Sequence, residues 1–105
     1  MFQLLCPYLM DIEHIAVIGS GQMGNGIAQV AACAGYNVTM VDIKQEYVDK
    51  GMETITRSLQ RLVSKERMSQ VDADQAVSRI QTSTDSVSCA NADLVVEAIP
   101  EIPEL

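Results

Sequence analysis

Residues 14–42 read HIAVIGSGQMGNGIAQVAACAGYNVTMVD, and this stretch decides the fold. An apolar run at 15–18 gives way at once to glycines, continues as a small-residue helical pattern, and returns as a second apolar run that ends in an acid. That order is the signature of a strand, a phosphate-binding turn, a helix and a second parallel strand. Gly19, Gly21 and Gly24 spell GxGxxG. Alone the pattern is weak; here it follows a strand, opens a helix and precedes an acid by about 20 residues, the context that a dinucleotide fingerprint requires.

Within the turn, Gly19 suits the tight bend, Gly21 lets a pyrophosphate approach the backbone, and Gly24 lets the helix lie close to the strand. Ser20, Gln22 and Met23 are the other residues of this turn. The helix predicted over 22–34 presents Ala28, Ala31, Ala32 and Ala34, with Met23, Ile27 and Val30 at core spacing, and Gly35 stands where a helix C-terminus takes a glycine. A strand over 37–41 then ends at Asp42. A carboxylate there accepts hydrogen bonds from the ribose hydroxyls of an adenosine and repels a 2′-phosphate, which favours NAD over NADP. The competing reading is that Asp42 only caps the next helix.

Outward from this unit, the strand at 14–18 is nearly continuously apolar, as expected of a parallel strand covered on both faces. His14, the one histidine, stands at its start; ligands sit at the carboxyl ends of such strands, so a structural role suits it better than catalysis. A long helix is predicted over 45–67, with Val48, Met52, Ile55, Leu59 and Leu62 on one stripe. Ser58, Arg61 and Lys65 share a flank beside it, which reads either as a solvated face or as a contact for a second phosphate-bearing ligand. Further on come a short helix through Val77 capped by Asp72, a weak strand at 80–82, a short helix at 86–90 and a clear strand at 94–96. The fold expected is α/β, a Rossmann-like parallel sheet of about four strands with flanking helices.

Bulk properties narrow the function. A chain of 105 residues holds one small domain, read as a leader over 1–12 and a partial dinucleotide-binding domain over 13–105. The net charge of −7 argues against nucleic acid or an anionic membrane as partner, since both need a basic patch. The opening MFQLLCPYLM is too short to span a membrane and carries no basic residue of a targeting signal. Cys6, Cys33 and Cys89 form no CxxC pair, which fits a reducing intracellular compartment, cytoplasm or mitochondrial matrix, better than disulfides or a metal site. In the strand order 3-2-1-4 the strand at 94–96 would be an apolar edge, so the expectation is a partial fold completed by further chain or a partner.

At IAVIGSGQMGNGIAQVAACAGYNVTMVDI and again at STDSVSCANADLVVEAIPE, the sequence resembles the 3-hydroxyacyl-CoA dehydrogenase family of fatty-acid β-oxidation. The resemblance implies a Rossmann-like NAD domain followed by a helical dimerisation domain, with a homodimer as the assembly. It implies that Gly19 to Gly24 and Asp42 hold the adenosine and pyrophosphate of NAD, and that Glu101 lies near the nicotinamide. It also implies that Ser58 and Lys65 contact coenzyme A of a 3-hydroxyacyl-CoA substrate, favouring the functional reading of that flank. The family's catalytic histidine and glutamate match positions past Leu105, and His14 does not match the former. No catalytic residue and no metal ligand is therefore assigned, and no dehydrogenase turnover is expected from these residues by themselves. The alternative is a non-catalytic NAD- or CoA-binding or interaction module derived from the same fold.

Overall fold

The computed structural model describes residues 12–98. Its strands are β1 (His14–Ile18), β2 (Asn37–Val41), β3 (Ile80–Ser83) and β4 (Leu94–Glu97); its helices are α1 (Gln22–Cys33), α2 (Gln45–Ser64) and α3 (Gln70–Ser78), with one 3₁₀ turn at Ser86–Cys89. The strands form one parallel sheet in the order β3-β2-β1-β4. Central β1 sets Ile15 beside Val38 of β2 and Leu94 of β4, which explains why its apolar run is almost unbroken.

Side chains alternate across a strand, so the sheet has two distinct faces. Ile15, Val17, Val38, Met40 and Ile80 point to one core, where they meet Ala28 and Ala32 of α1, Ile55 and Leu59 of α2, and Ala73 and Ala76 of α3. The alanines keep α1 slim enough to lie near the sheet. Met40, Ile55 and Leu59 are the largest wholly buried side chains, each worth about 1.5–3 kcal/mol of apolar burial. On the other face Ala16, Thr39 and Val41 are buried as well. β4 is different: Leu94 and Val95 remain 40% and 46% exposed, the apolar edge expected from the strand order.

The N-terminal edge of the sheet is closed by Asp93 and His14. Asp93 Oδ2 accepts the N–H groups of Glu13 at 2.9 Å and His14 at 3.0 Å, and the Asp93 N–H donates to the His14 carbonyl at 2.8 Å. The Glu13 and His14 N–H groups hold the Asp93 carboxyl below its ordinary value. His14 Nε2 lies 2.7 Å from Thr39 Oγ1, so the lone histidine joins β1 to β2, at the opposite edge from the glycine turn.

The helix ends explain where the predicted boundaries move. After α1, Gly35 takes a φ of 104°, its N–H reaches the Ala32 carbonyl and the Tyr36 N–H reaches that of Ala31, a Schellman closure that the glycine signals in advance. The same closure ends α2 at Ser64 rather than 67: the N–H groups of Glu66 and Arg67 donate to the Val63 and Leu62 carbonyls. Here the left-handed residue is Glu66, with a φ of 57°, so no glycine announces the stop. Lys65 consequently lies at the cap, outside the helix. The cap of α3 also moves, since Ser69 Oγ accepts the Asp72 N–H at 3.1 Å. Asp72 thus sits in the first turn, where its charge complements the helix dipole, and is not the cap.

The left-handed conformation of Glu66 costs about 1–2 kcal/mol, against about 0.5–1 kcal/mol of extra chain entropy that a glycine loses on folding. Glu66→Gly is therefore expected to stabilise the fold by about 0.5 kcal/mol, measured as a higher urea midpoint with an unchanged slope; a lower midpoint would show that the Glu66 side chain contributes more than its backbone costs.

Candidate functional site

β1 ends at a turn that two backbone contacts shape. Gly19 has a φ of 108°, and its N–H donates to the Val41 carbonyl at 2.7 Å, stitching the carboxyl ends of β1 and β2 together. A Cβ on Gly24 would overlap the Gly19 carbonyl, so the first turn of α1 rests directly on the end of β1. The first helical bond runs from the Asn25 N–H to the Gly21 carbonyl at 2.8 Å. Gly21 is the N-cap, without a capping side chain, and no acid stands in the first turn. The N–H groups of Gln22, Met23 and Gly24 thus have no helical acceptor, and with the positive end of the helix dipole they suit a phosphate.

Asp42 leaves the end of β2 toward this turn. Its Oδ2 accepts the Ser20 N–H at 2.8 Å and the Ser20 hydroxyl at 2.7 Å, while Oδ1 accepts the Ile43 N–H at 2.7 Å. Desolvation raises the carboxyl, but the Ser20 hydroxyl and then the Ile43 and Ser20 N–H groups outweigh it, so Asp42 stays ionised below the usual range. Asp42 does not cap α2, whose N-cap is Lys44 with no side-chain bond. A carboxylate offers roughly four acceptor sites, and protein donors take three, leaving room for one further bond rather than two.

A cavity of about 650 Å³ opens beside these groups. The glycine turn supplies Ser20 and Gly21, the start of α1 Gln22 and Asn25, the end of β2 Asp42, and α2 supplies Tyr47, Lys50, Gly51 and Thr54. The α2 residues recur at helical spacing on the face beside its apolar stripe, and that periodicity was the available signal for a contribution that motif reading passes over. Among the described residues of the lining, Asp42 is the one acid and Lys50 the one base. Lys44 covers Tyr47, its Nζ 5.7 Å from the ring centre. A second cavity of about 360 Å³ adjoins Gly21, Gln22, Met23 and Ala98, so the turn separates two spaces.

The other predicted site residues lie elsewhere. Ser58 is half-buried on α2 and Lys65 is exposed at its cap, and neither lines either cavity. Glu101 lies outside the described residues. Among the described residues no group of three His, Cys, Asp or Glu side chains is placed to hold a metal, and no helix is long and apolar enough to cross a membrane.

Sheet order, glycine turn and terminal acid together define a dinucleotide-binding fold of the Rossmann type. The family model described as "3-hydroxyacyl-CoA dehydrogenase, NAD binding domain" matches residues 14–105. The probable 3-hydroxybutyryl-CoA dehydrogenase of Deinococcus radiodurans is 50% identical over 86 residues, covering 81% of this chain and 30% of that protein. The mitochondrial hydroxyacyl-coenzyme A dehydrogenase of Homo sapiens is 41% identical over 96 residues, covering 86% and 31%. The crystal structure of (S)-3-hydroxybutyryl-CoA dehydrogenase from Ralstonia eutropha superposes with a TM-score of 0.84 at 43% identity, covering 87% of this chain and 32% of that one. The chain belongs to the 3-hydroxyacyl-CoA dehydrogenase family, of which it carries the NAD-binding domain, and it spans about a third of the length of these relatives.

Two glycines of the motif region separate site geometry from helix propensity. Gly24→Ala is expected to destabilise by about 2 kcal/mol or more, because helix and strand must part. Gly26→Ala, where a Cβ meets nothing within 4 Å, is expected to stabilise by about 0.5–1 kcal/mol. Thermal melts of the two variants check this; equal effects of one sign would contradict the close approach at Gly24.

Proposed function

We propose that the turn from Gly19 to Gly24, with Ser20, Gln22 and Met23, holds the pyrophosphate of NAD, that Asp42 receives its adenosine ribose, and that the protein serves oxidation of a 3-hydroxyacyl-CoA to the 3-oxo thioester. The observation that carries the reading is the convergence of unpartnered N–H groups at the start of α1 with an ionised Asp42 at the rim of one cavity. The donors match a pyrophosphate, and the remaining acceptor on Asp42 matches a ribose hydroxyl. Bound NAD supplies the hydride acceptor. The chain's described residues bind and orient it: the turn fixes the phosphates, and Asp42 sets the position of the adenosine along the edge of the sheet.

Charge supports NAD over its 2′-phosphorylated form. A phosphate beside the Asp42 carboxylate would meet a like charge in a partly desolvated place, with Lys50 the only opposing charge among the described residues of the lining. Titration calorimetry is expected to show NAD binding more tightly than NADP, and Asp42→Ala weakening NAD by about tenfold, the loss of one hydrogen bond to a charged acceptor. An unchanged preference in that variant would remove Asp42 from the ribose site.

Family membership supports Ser58 and Lys65 as contacts for the coenzyme A part of the substrate, and Glu101 as a neighbour of the nicotinamide. Arg61 in the last turn of α2 and Lys65 at its cap supply side-chain cations of the kind that bind a phosphate-bearing ligand. With coenzyme A as probe, Ser58→Ala and Lys65→Ala are each expected to weaken binding by about two- to tenfold, and affinity unchanged in both would refute these contacts.

A further inference from the structure

Ser20 occupies the x position of the first GxG, a place usually read for its backbone alone. Here its side chain has a distinct setting. It is 4% exposed, one of two buried polar residues in the described core, and it is where three elements converge. Its N–H and hydroxyl both donate to Asp42 Oδ2 at the end of β2. Its backbone and Cβ lie against α2, where a Cβ on Gly51 would come 3.0 Å from the Ser20 carbonyl oxygen and 3.2 Å from its Cβ. The same Gly51 faces Met40, whose Cε would stand 3.0 Å from that Cβ. α2 thus holds Ser20 from behind while Ser20 holds Asp42 in front.

We propose that Ser20 is the positioning residue of the ribose site: by engaging Asp42 Oδ2 twice it turns Oδ1 into the oxygen that receives a ribose hydroxyl. The inference rests on the assignment of Asp42 to the ribose. Oδ1 already takes the Ile43 N–H, so a single acceptor direction remains and the carboxylate has little freedom to rotate away from it. A ligand then meets an acceptor that is already oriented, which reduces the ordering cost of binding. Among the described residues, the charged and titratable groups that share this space with Asp42 are Lys50 and Tyr47 from α2, and Lys44 over the Tyr47 ring; the turn that carries Ser20 has none.

The test is a double-mutant cycle on the full chain with NAD as titrant, joined to a measurement that needs no ligand. Ser20→Ala keeps the Cβ beside Gly51 and removes only the hydroxyl. It is expected to weaken NAD binding by about three- to tenfold in the native background, and to add nothing in the Asp42→Ala background. By carbon-13 NMR of the free protein, the Asp42 carboxyl is expected to titrate at higher pH in Ser20→Ala, and the acid limit of NAD binding should rise with it. A serine that only fills the junction behind the turn, without a grip on Asp42, would move neither. An unmoved Asp42 titration, or an equal loss of affinity in both backgrounds, overturns the role of Ser20. If Asp42→Ala itself leaves NAD affinity unchanged, the ribose assignment fails and the positioning role falls with it, whereas the carboxyl titration still reports whether Ser20 grips Asp42.

Discussion

The contact on which the rest depends is the seating of Gly24 against the Gly19 carbonyl. It brings the axis of α1 onto the end of β1 and leaves the first N–H groups of the helix facing outward at the sheet's carboxyl edge. The bond from the Gly19 N–H to Val41 then ties that turn to the end of β2, so Asp42 emerges beside it. A side chain at Gly24 would open the strand–helix junction, and with it the register between phosphate donors and ribose acceptor. Fold and site are therefore one constraint seen at two scales.

The sheet's two edges perform different work. At the N-terminal edge Asp93 and the His14–Thr39 pair close the strands with side-chain hydrogen bonds. At the carboxyl edge β1 and β2 lead into backbone donors and the ionised Asp42, polar groups that need a partner when shielded from water. Membership of the 3-hydroxyacyl-CoA dehydrogenase family supplies the cofactor, NAD, and the geometry supplies reasons why these residues suit it. Ser20 adds local character to that shared arrangement, since its hydroxyl ties the turn to the acid through a side chain as well as the backbone.

Much of this was legible because it is local. β1 and β2 follow from apolar runs bounded by turn residues, and the sheet order follows from the position of the glycine turn between them. Boundaries failed where the controlling residue carries no sequence signal. Glu66 adopts a glycine-like conformation, so the pattern of α2 reads on past its true end, and the Ser69 cap was passed over for the acid three residues later. In the site, the turn and Asp42 were visible from spacing, but the filling of three acceptor positions on Asp42 was not, because it depends on Ser20 and Ile43 converging in space. Tyr47, Lys50 and Thr54 share one helical face, which the spacing shows, but the angle at which α2 crosses the sheet edge decides that this face lines the cavity.

Amide chemical-shift mapping of the chain during titration with NAD tests the central claim most directly. The account predicts that the N–H signals of Gln22, Met23 and Gly24, and that of Ile43 beside Asp42, move together and saturate at one affinity, while those of α3 and the Asp93 edge stay in place. Saturable shifts confined to other residues, or no shifts at the start of α1 while NAD demonstrably binds, would contradict it.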